Sequence, residues 1–221
     1  YVPIGGTVAA LAALVALRAD RRWWRVAITL ACVALAAFEW FFVTAGTVLP
    51  RYAGPVQVGS AIPSFQATLA DGTPIDASYF QRDRPTALIF YQGRWCPFCM
   101  TQLSELNEHH GEFERLQADV VVVSIEDAET ATLTQRDFPH LKVVSDEKRE
   151  LATAVDVINP GFGPDGADST APTILLLDGT GTVRWFHRPT RFIARPSAGE
   201  LVVSLEALQE GDGSVSSVPS K

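Results

Sequence analysis

Two stretches limit the fold more than anything else in the chain. "TALIFY" (86–91) and "DVVVVSI" (119–125) are continuous apolar runs of strand length. Such runs fit strands buried on both faces rather than strands with one wet side. Between and beyond them lie segments of helical spacing. Residues 97–118 place Leu103, Leu106, Phe113 and Leu116 on one side. "ETATLTQRDF" and "EKRELATAV" read as further helices, with the short strand "LKVVSD" between them. "FQATLADGTPIDASYF" reads as a hairpin turning at Asp71-Gly72 and then a short helix. "PTILLLDGTGTVRWFH" (172–187) reads as two strands joined at Gly179–Gly181, and "PSAGELVVSLEALQEG" (196–211) as a closing helix. Strands alternating with helices imply an α/β sheet covered on both sides.

The first 49 residues are different material. Residues 2–17 are almost wholly apolar, and residues 26–49 are apolar with one acid, Glu39. A membrane-spanning helix needs about 20 such residues. The second run reaches that length and the first is a little short. Between them "RADRRWWR" (18–25) carries four arginines and two tryptophans. Basic loops stay on the cytoplasmic side, and Trp suits the membrane–water interface. A two-helix transmembrane hairpin over 1–49 is therefore expected, with the rest of the chain extracytoplasmic; a soluble helical hairpin is the plainer alternative. Glu39 is expected as a protonated carboxyl at a helix–helix contact, with a relay role as the alternative. The chain opens on Tyr1, and further residues are expected upstream. Residues 50–64, rich in Pro, Gly and Ser, read as a tether, 65–211 as the globular domain, and 212–221 as a disordered tail.

The net charge is -7, and the first 49 residues carry four bases against two acids, so the remainder carries -9. So acidic a globular part excludes nucleic acid as a partner.

Three cysteines are too few for a disulfide scaffold. Cys32 sits in an apolar run and reads as a small buried hydrophobe. Cys96 and Cys99 stand two residues apart in "RWCPFC", where a buried strand gives way to a helix. The amino end of a helix offers unpaired N–H groups and a positive dipole end, both favouring thiolate over thiol. Cys96 is expected to be the exposed nucleophile, with Cys99 one turn on, close enough to attack a mixed disulfide or sulfenic acid on it. Pro97 stiffens the first helical turn, Trp95 precedes it, and Arg94 is the nearest cation. Half a zinc site and an inert structural disulfide are the alternatives. No metal or cofactor is expected. The loop 159–170, "NPGFGPDGADST", is either a rim of the cleft or a surface insertion.

These residues carry a resemblance over about 56–210. "WCPFC" after "LIFYQGR", then "APT" leading "ILLLDGTGTVRWF", resembles a thioredoxin-fold protein. More narrowly, the chain is similar to the alkyl hydroperoxide reductase/thiol-specific antioxidant family of peroxiredoxin-like redoxins. The resemblance implies a central mixed sheet flanked by helices; the two apolar runs of residues 1–49 lie outside it and are expected to anchor the chain in a bacterial inner or cell membrane. It implies a cis Pro172, with Thr173, facing the cysteines. It implies an oxidoreductase in which Cys96 attacks peroxide and Cys99 resolves to a disulfide, with an external dithiol as reductant. Exchange with extracytoplasmic protein disulfides is the alternative, and a non-catalytic module on the same scaffold a third reading. The family's Pro-x-x-x-Thr-x-x-Cys pattern corresponds here to Ile89 and Gly93, so the Thr hydroxyl is missing; backbone N–H groups of 93–96 and Arg94 are the expected substitutes. Phe90 stands where thioredoxin has a buried Asp, and Tyr91 is a candidate hydrogen-bond donor. Arg188, Arg191 and Arg195 follow the last strand; each either reaches the site or stays a solvated surface cation, and the solvated role is the preferred reading.

Overall fold

The computed structural model describes residues 4–19 and 23–209; the expected tail and residue 1 lie outside the described residues. The chain divides into two compact units, 1–49 and 50–221.

In the first unit, α1 (Ile4–Ala19) and α2 (Trp23–Phe41) lie side by side and antiparallel, and α2 runs on through a π-helical stretch, Phe42–Gly46. Trp40 Nε1 donates to Thr7 Oγ1 at 3.0 Å, and Thr29 Oγ1 to the Ala13 carbonyl at 3.3 Å. The Glu39 carboxyl lies against Gly6, where a Cβ would collide with it. Trp23–Gly46, 24 residues, is long and apolar enough to cross a membrane. The apolar part of α1, Ile4–Val15, falls short of the roughly 20 residues a span requires. The expected two-span hairpin thus becomes one helix of spanning length with a shorter partner.

The second unit is a seven-stranded mixed sheet. Its strands are β1 (Gln66–Leu69), β2 (Pro74–Asp76), β3 (Thr86–Phe90), β4 (Asp119–Ser124), β5 (Lys142–Ser145), β8 (Thr173–Leu177) and β9 (Val183–His187), in the order β2-β1-β5-β4-β3-β8-β9. A separate hairpin pairs β6 (Ile158–Asn159) with β7 (Ser169–Thr170). β3, β4 and β5 are parallel, and the outer strands antiparallel. The helices are α3 (Pro97–Glu108), α4 (His110–Arg115), α5 (Ala128–Asp137), α6 (Glu150–Ala154) and α7 (Ala198–Gln209). The two apolar runs 86–91 and 119–125 become β3 and β4, and the first strand expected in 172–187 becomes β8; all three are buried at every residue.

Alternation along β3 divides two cores. Ala87 and Ile89, with Tyr91 just beyond the strand, face Leu103, Leu106, Phe113 and Leu201 of α3, α4 and α7. Leu88 and Phe90 face Phe80, Leu151 and Val155 on the other side. Each such side chain contributes roughly 1.5–3 kcal/mol by leaving water. Phe90 therefore points away from the cysteine side, and Tyr91 points towards it.

The expected tether is largely part of this unit. Val56, Ile62 and Phe65 are buried in the second core. Gly59 N–H donates to the Val183 carbonyl at 2.7 Å, and Ile62 N–H to Gly181 at 2.9 Å. Tyr52 Oη donates to the Val155 carbonyl at 2.8 Å and accepts from Val56 N–H at 3.2 Å. Pro and Gly in this stretch shape a docked strap rather than a free chain. Removing the Tyr52 hydroxyl takes away both bonds, each worth about 1 kcal/mol. Tyr52→Phe should therefore speed amide exchange across 56–62 by roughly 5–30-fold, with β3 and β4 unaffected. Hydrogen-exchange mass spectrometry reads this directly; unchanged protection at 56–62 would mean that Tyr52 does not anchor the strap.

Candidate active site

The site forms where β3 ends and α3 begins. Phe90 pairs with Val123 and Thr173, so the chain leaves the sheet at a fixed point. Gly93 then takes φ = +150°, a conformation that favours glycine. A Cβ there would come within 2.5 Å of Trp95 Nε1 and 2.8 Å of Glu126 Oε1. The Thr of the family pattern could not be seated at this position without moving both neighbours.

Cys96 is the N-cap of α3, and Pro97 follows it in the first turn, as expected. The Cys96 sulfur accepts the Cys99 N–H at 3.3 Å. Both cysteines are reduced. The expectation of an exposed Cys96 is corrected: it is 2% accessible, and Cys99 is fully buried. The reason is that the capping bond turns the sulfur inward, into the cluster that holds Tyr91 and Leu103. That seat is not apolar throughout. Gln92 Oε1 lies 3.2 Å from Cys96 Sγ and 4.0 Å from Cys99 Sγ. As placed, the amide oxygen accepts from a thiol; turned over, its NH₂ would donate to a thiolate.

The two sulfurs titrate apart. Cys96 is lowered from an ordinary 9.0 to about 6, first by the hydrogen bond from the Cys99 thiol and then, against the cost of burial, by the Cys99 N–H and the nearby Arg195 charge. Cys99 is raised, first by burial and then by donating its proton to Cys96. One sulfur is thus prepared as a nucleophile, and its neighbour is kept as the proton-bearing partner.

The remaining expected residues are placed as follows. Arg94 Nη2 is bound by Asp137 Oδ2 at 2.5 Å, and its N–H lies 2.9 Å from both Glu126 oxygens. Cys96 N–H is taken by the Gly93 carbonyl at 3.2 Å. These two backbone donors, expected to replace the Thr hydroxyl, therefore have partners already, and the cation that lowers Cys96 is Arg195 rather than Arg94. Tyr91 Oη accepts from Ser124 Oγ at 3.2 Å, and burial pushes its pKa up to about 12. The expected cis Pro172 is also corrected: every peptide bond among the described residues is trans. Ala171 N–H donates to the Val157 carbonyl at 2.7 Å, so an extended chain is fed straight into β8, and the intrinsically favoured isomer suffices. Pro172 still borders a cavity of about 10 Å³ shared with Gln102 and Arg195. Thr173 is buried, donating to the Ala171 carbonyl at 3.0 Å and accepting from Arg188 Nη1 at 3.5 Å.

Trp95 and Phe98 are 42% and 36% exposed, forming an aromatic rim beside the buried cysteines. The loop 159–170 adds to it: Phe162 meets Phe192 edge-on at 5.5 Å, and Phe192 meets Phe98 at 6.0 Å. Sequence reasoning missed Gln92, Gln102, Glu126 and Phe192. Arg195 takes the less favoured of its two expected roles and reaches the site, donating to Cys99 Sγ at 3.4 Å and to Gln102 Oε1 at 2.8 Å. Glu126 is held neutral to higher pH by its burial, which outweighs the N–H it accepts. Among the described residues no three His, Cys, Asp or Glu side chains come together as a metal site.

Thiolate absorbance near 240 nm should rise with a midpoint at about pH 6 and vanish in Cys96→Ser. Cys99→Ala removes the leading hydrogen bond, so its midpoint should move upward. A Cys99→Ala midpoint no higher than that of the native chain would remove Cys99 as the cause.

The chain matches the AhpC/TSA family over residues 58–186. Peroxiredoxin Q of the chloroplast of Oryza sativa subsp. japonica is 26% identical over 156 residues, covering 70% of this chain and 69% of the relative. A peroxiredoxin of Thermoplasma volcanium is 23% identical over 138 residues, covering 59% of this chain and 64% of that one. Among solved structures, a cysteine-to-serine mutant of PrxQ from Xylella fastidiosa superposes with a TM-score of 0.61 at 20% identity, covering 71% of this chain and 99% of that one. Peroxidoxin BcpB of Mycobacterium tuberculosis gives 0.59 at 20% identity, covering 69% and 98%. The family match spans more than half of the chain, and the chain belongs to the AhpC/TSA family as a peroxiredoxin-like thiol oxidoreductase.

Proposed function

We propose that this chain is a membrane-anchored thiol peroxidase in which Cys96 attacks peroxide and Cys99 resolves the product to an intramolecular disulfide. The observation that carries the reading is the seat of Cys96. The residue is 2% exposed, yet its pKa is lowered to about 6, first by hydrogen bonding from Cys99. A hydroperoxide is small enough to reach such a sulfur past the Trp95–Phe98 rim. A protein disulfide must bring its own backbone and side chains with it. In the first step the thiolate attacks the O–O bond, an S–O bond forms, and the leaving alkoxide or hydroxide takes up a proton. Cys99, hydrogen-bonded to Cys96 in the reduced state, then needs little movement to close the S–S bond.

The relatives' names support peroxide as the oxidant, and an external dithiol of the thioredoxin type completes the cycle. That dithiol requires the rim to move outward once the disulfide has formed. Trp23–Gly46 supports an anchor by its length and composition. The four arginines of 18–25 support an extracytoplasmic redox unit. Exchange with protein disulfides is the second reading, favoured by the Trp-Cys-Pro-Phe-Cys sequence itself.

Two assays run side by side separate the readings. The chain should consume hydrogen peroxide with a dithiol donor, and Cys96→Ser should fall to the rate without enzyme. Reduction of a protein disulfide should stay near background. Fast reduction of the protein disulfide with no Cys96-dependent peroxide loss would reverse the assignment.

A further inference from the structure

We infer that Arg195 acts in the second chemical step, holding the Cys99 sulfur as a thiolate while it attacks an oxidised Cys96. This rests on the assignment of Cys96 as the peroxide-attacking sulfur.

Arg195 lies in the segment between β9 and α7, 96 residues beyond Cys99. Its guanidinium is fixed on three sides. Nη2 donates to Cys99 Sγ at 3.4 Å, Nη1 to Gln102 Oε1 at 2.8 Å, and Nε to the Phe192 carbonyl at 3.2 Å. Gln102 lies on α3, three residues after Cys99, and Phe192 is wedged between Phe98 and Phe162. A planar fork held in this way is aimed before any charge appears on Cys99, so little reorganisation is required when it does. Arg94 is bound to Asp137, and Arg188 reaches Thr173.

The timing follows from which sulfur is touched. Before peroxide reacts, Cys99 keeps its proton beside the Cys96 thiolate and remains neutral, and a guanidinium beside a neutral thiol gains little. After peroxide has reacted, Cys96 is S–OH. Its negative charge is gone, and so is its hold on the Cys99 proton. Burial is then the main obstacle to a Cys99 thiolate, and Arg195 opposes it at close range. The Cys99 thiolate attacks the Cys96 sulfur. The S–S bond forms, the S–O bond breaks, and the departing hydroxide leaves as water with the proton that Cys99 lost. The peroxide is the two-electron oxidant for the whole sequence. Arg195 also helps to lower Cys96, but less than the hydrogen bonds from Cys99 do. The first step therefore depends on it less than the second.

The test uses the full chain, one equivalent of hydrogen peroxide, dimedone quenching at intervals and mass spectrometry. In Arg195→Gln, sulfenic acid on Cys96 should form within a few-fold of the native rate (roughly fivefold). The disulfide should form about ten- to a hundredfold more slowly, the loss expected for a hydrogen bond to a charged group. Dimedone-labelled Cys96 should accumulate, and excess peroxide should drive it to sulfinic acid. The pH profile of the disulfide step should move to higher pH, which a loss of packing would not cause. Arg195→Lys keeps the charge without the fork and should recover part of the rate. Native disulfide kinetics in Arg195→Gln would overturn the inference. So would an equal fall in both steps with no recovery in Arg195→Lys. A dimedone adduct on Cys99 rather than Cys96 would instead overturn the assignment beneath it.

Discussion

One hydrogen-bonded sulfur organises this site. Cys96 Sγ accepts the Cys99 N–H at the start of α3, and the neighbouring Cys99 thiol helps to hold its pKa down. A serine or aspartate in that place would be an ordinary cap. A sulfur there does the same structural work and becomes acidic as a result. The helix is started by the atom that it activates, so the nucleophile cannot be displaced without fraying the first turn of α3. The coupling has a thermodynamic side. A group whose folded pKa lies at about 6 against an ordinary 9.0 stabilises the fold fully above about pH 9. That contribution is lost progressively as pH falls through about 6.

Burial and reactivity would ordinarily oppose each other here, because removing a thiolate from water raises its pKa. The structure divides the two effects between two residues. Both sulfurs are desolvated, but in Cys99 burial wins and the thiol stays protonated, whereas in Cys96 the hydrogen bonds outweigh it and the sulfur ionises. Gln92, buried between them, can present either end of its amide to the sulfurs and so suits both protonation states. Three apolar neighbours in place of Gln92, Cys99 and Arg195 would leave Cys96 a protonated, inert thiol.

Much of this was legible in the residues. The runs 86–91 and 119–125 announced two of the central strands, because continuous apolar sequence has few other uses at that length, and 172–187 announced a further pair joined at Gly179–Gly181. "CPFC" announced the helix start, because Pro is tolerated there and the cysteines fall one turn apart. Two things were not legible. Whether a capping sulfur faces solvent or the core depends on what packs above it, and that comes from α7 and the segment before it, far along the chain. Likewise, Arg188, Arg191 and Arg195 are indistinguishable as text; only the register of β9 and the wedge of Phe192 bring Arg195 onto Cys99. Residues 50–64 show the same limit from the other side. Pro, Gly and Ser fit a loose tether and a docked strap equally well, and the apolar side chains of Val56 and Ile62, with Phe65 just beyond, decide for the strap.

Gly93 shows how one backbone angle can redirect a family's chemistry. With φ at +150° and Trp95 and Glu126 pressed against it, this position holds no hydroxyl. The Glu126 carboxylate instead takes the Arg94 N–H and is itself joined to Ser124, which donates to Tyr91. The loop before Cys96 is therefore fixed by a buried acid from the end of β4, not by a side chain of its own. Polar groups in that loop serve to hold it still, which leaves the cysteine pair and whatever touches them to supply the chemistry. The positive charge beside the cysteine pair comes instead from the far end of the domain, where the Arg195 guanidinium is seated rigidly on Gln102 and the Phe192 carbonyl.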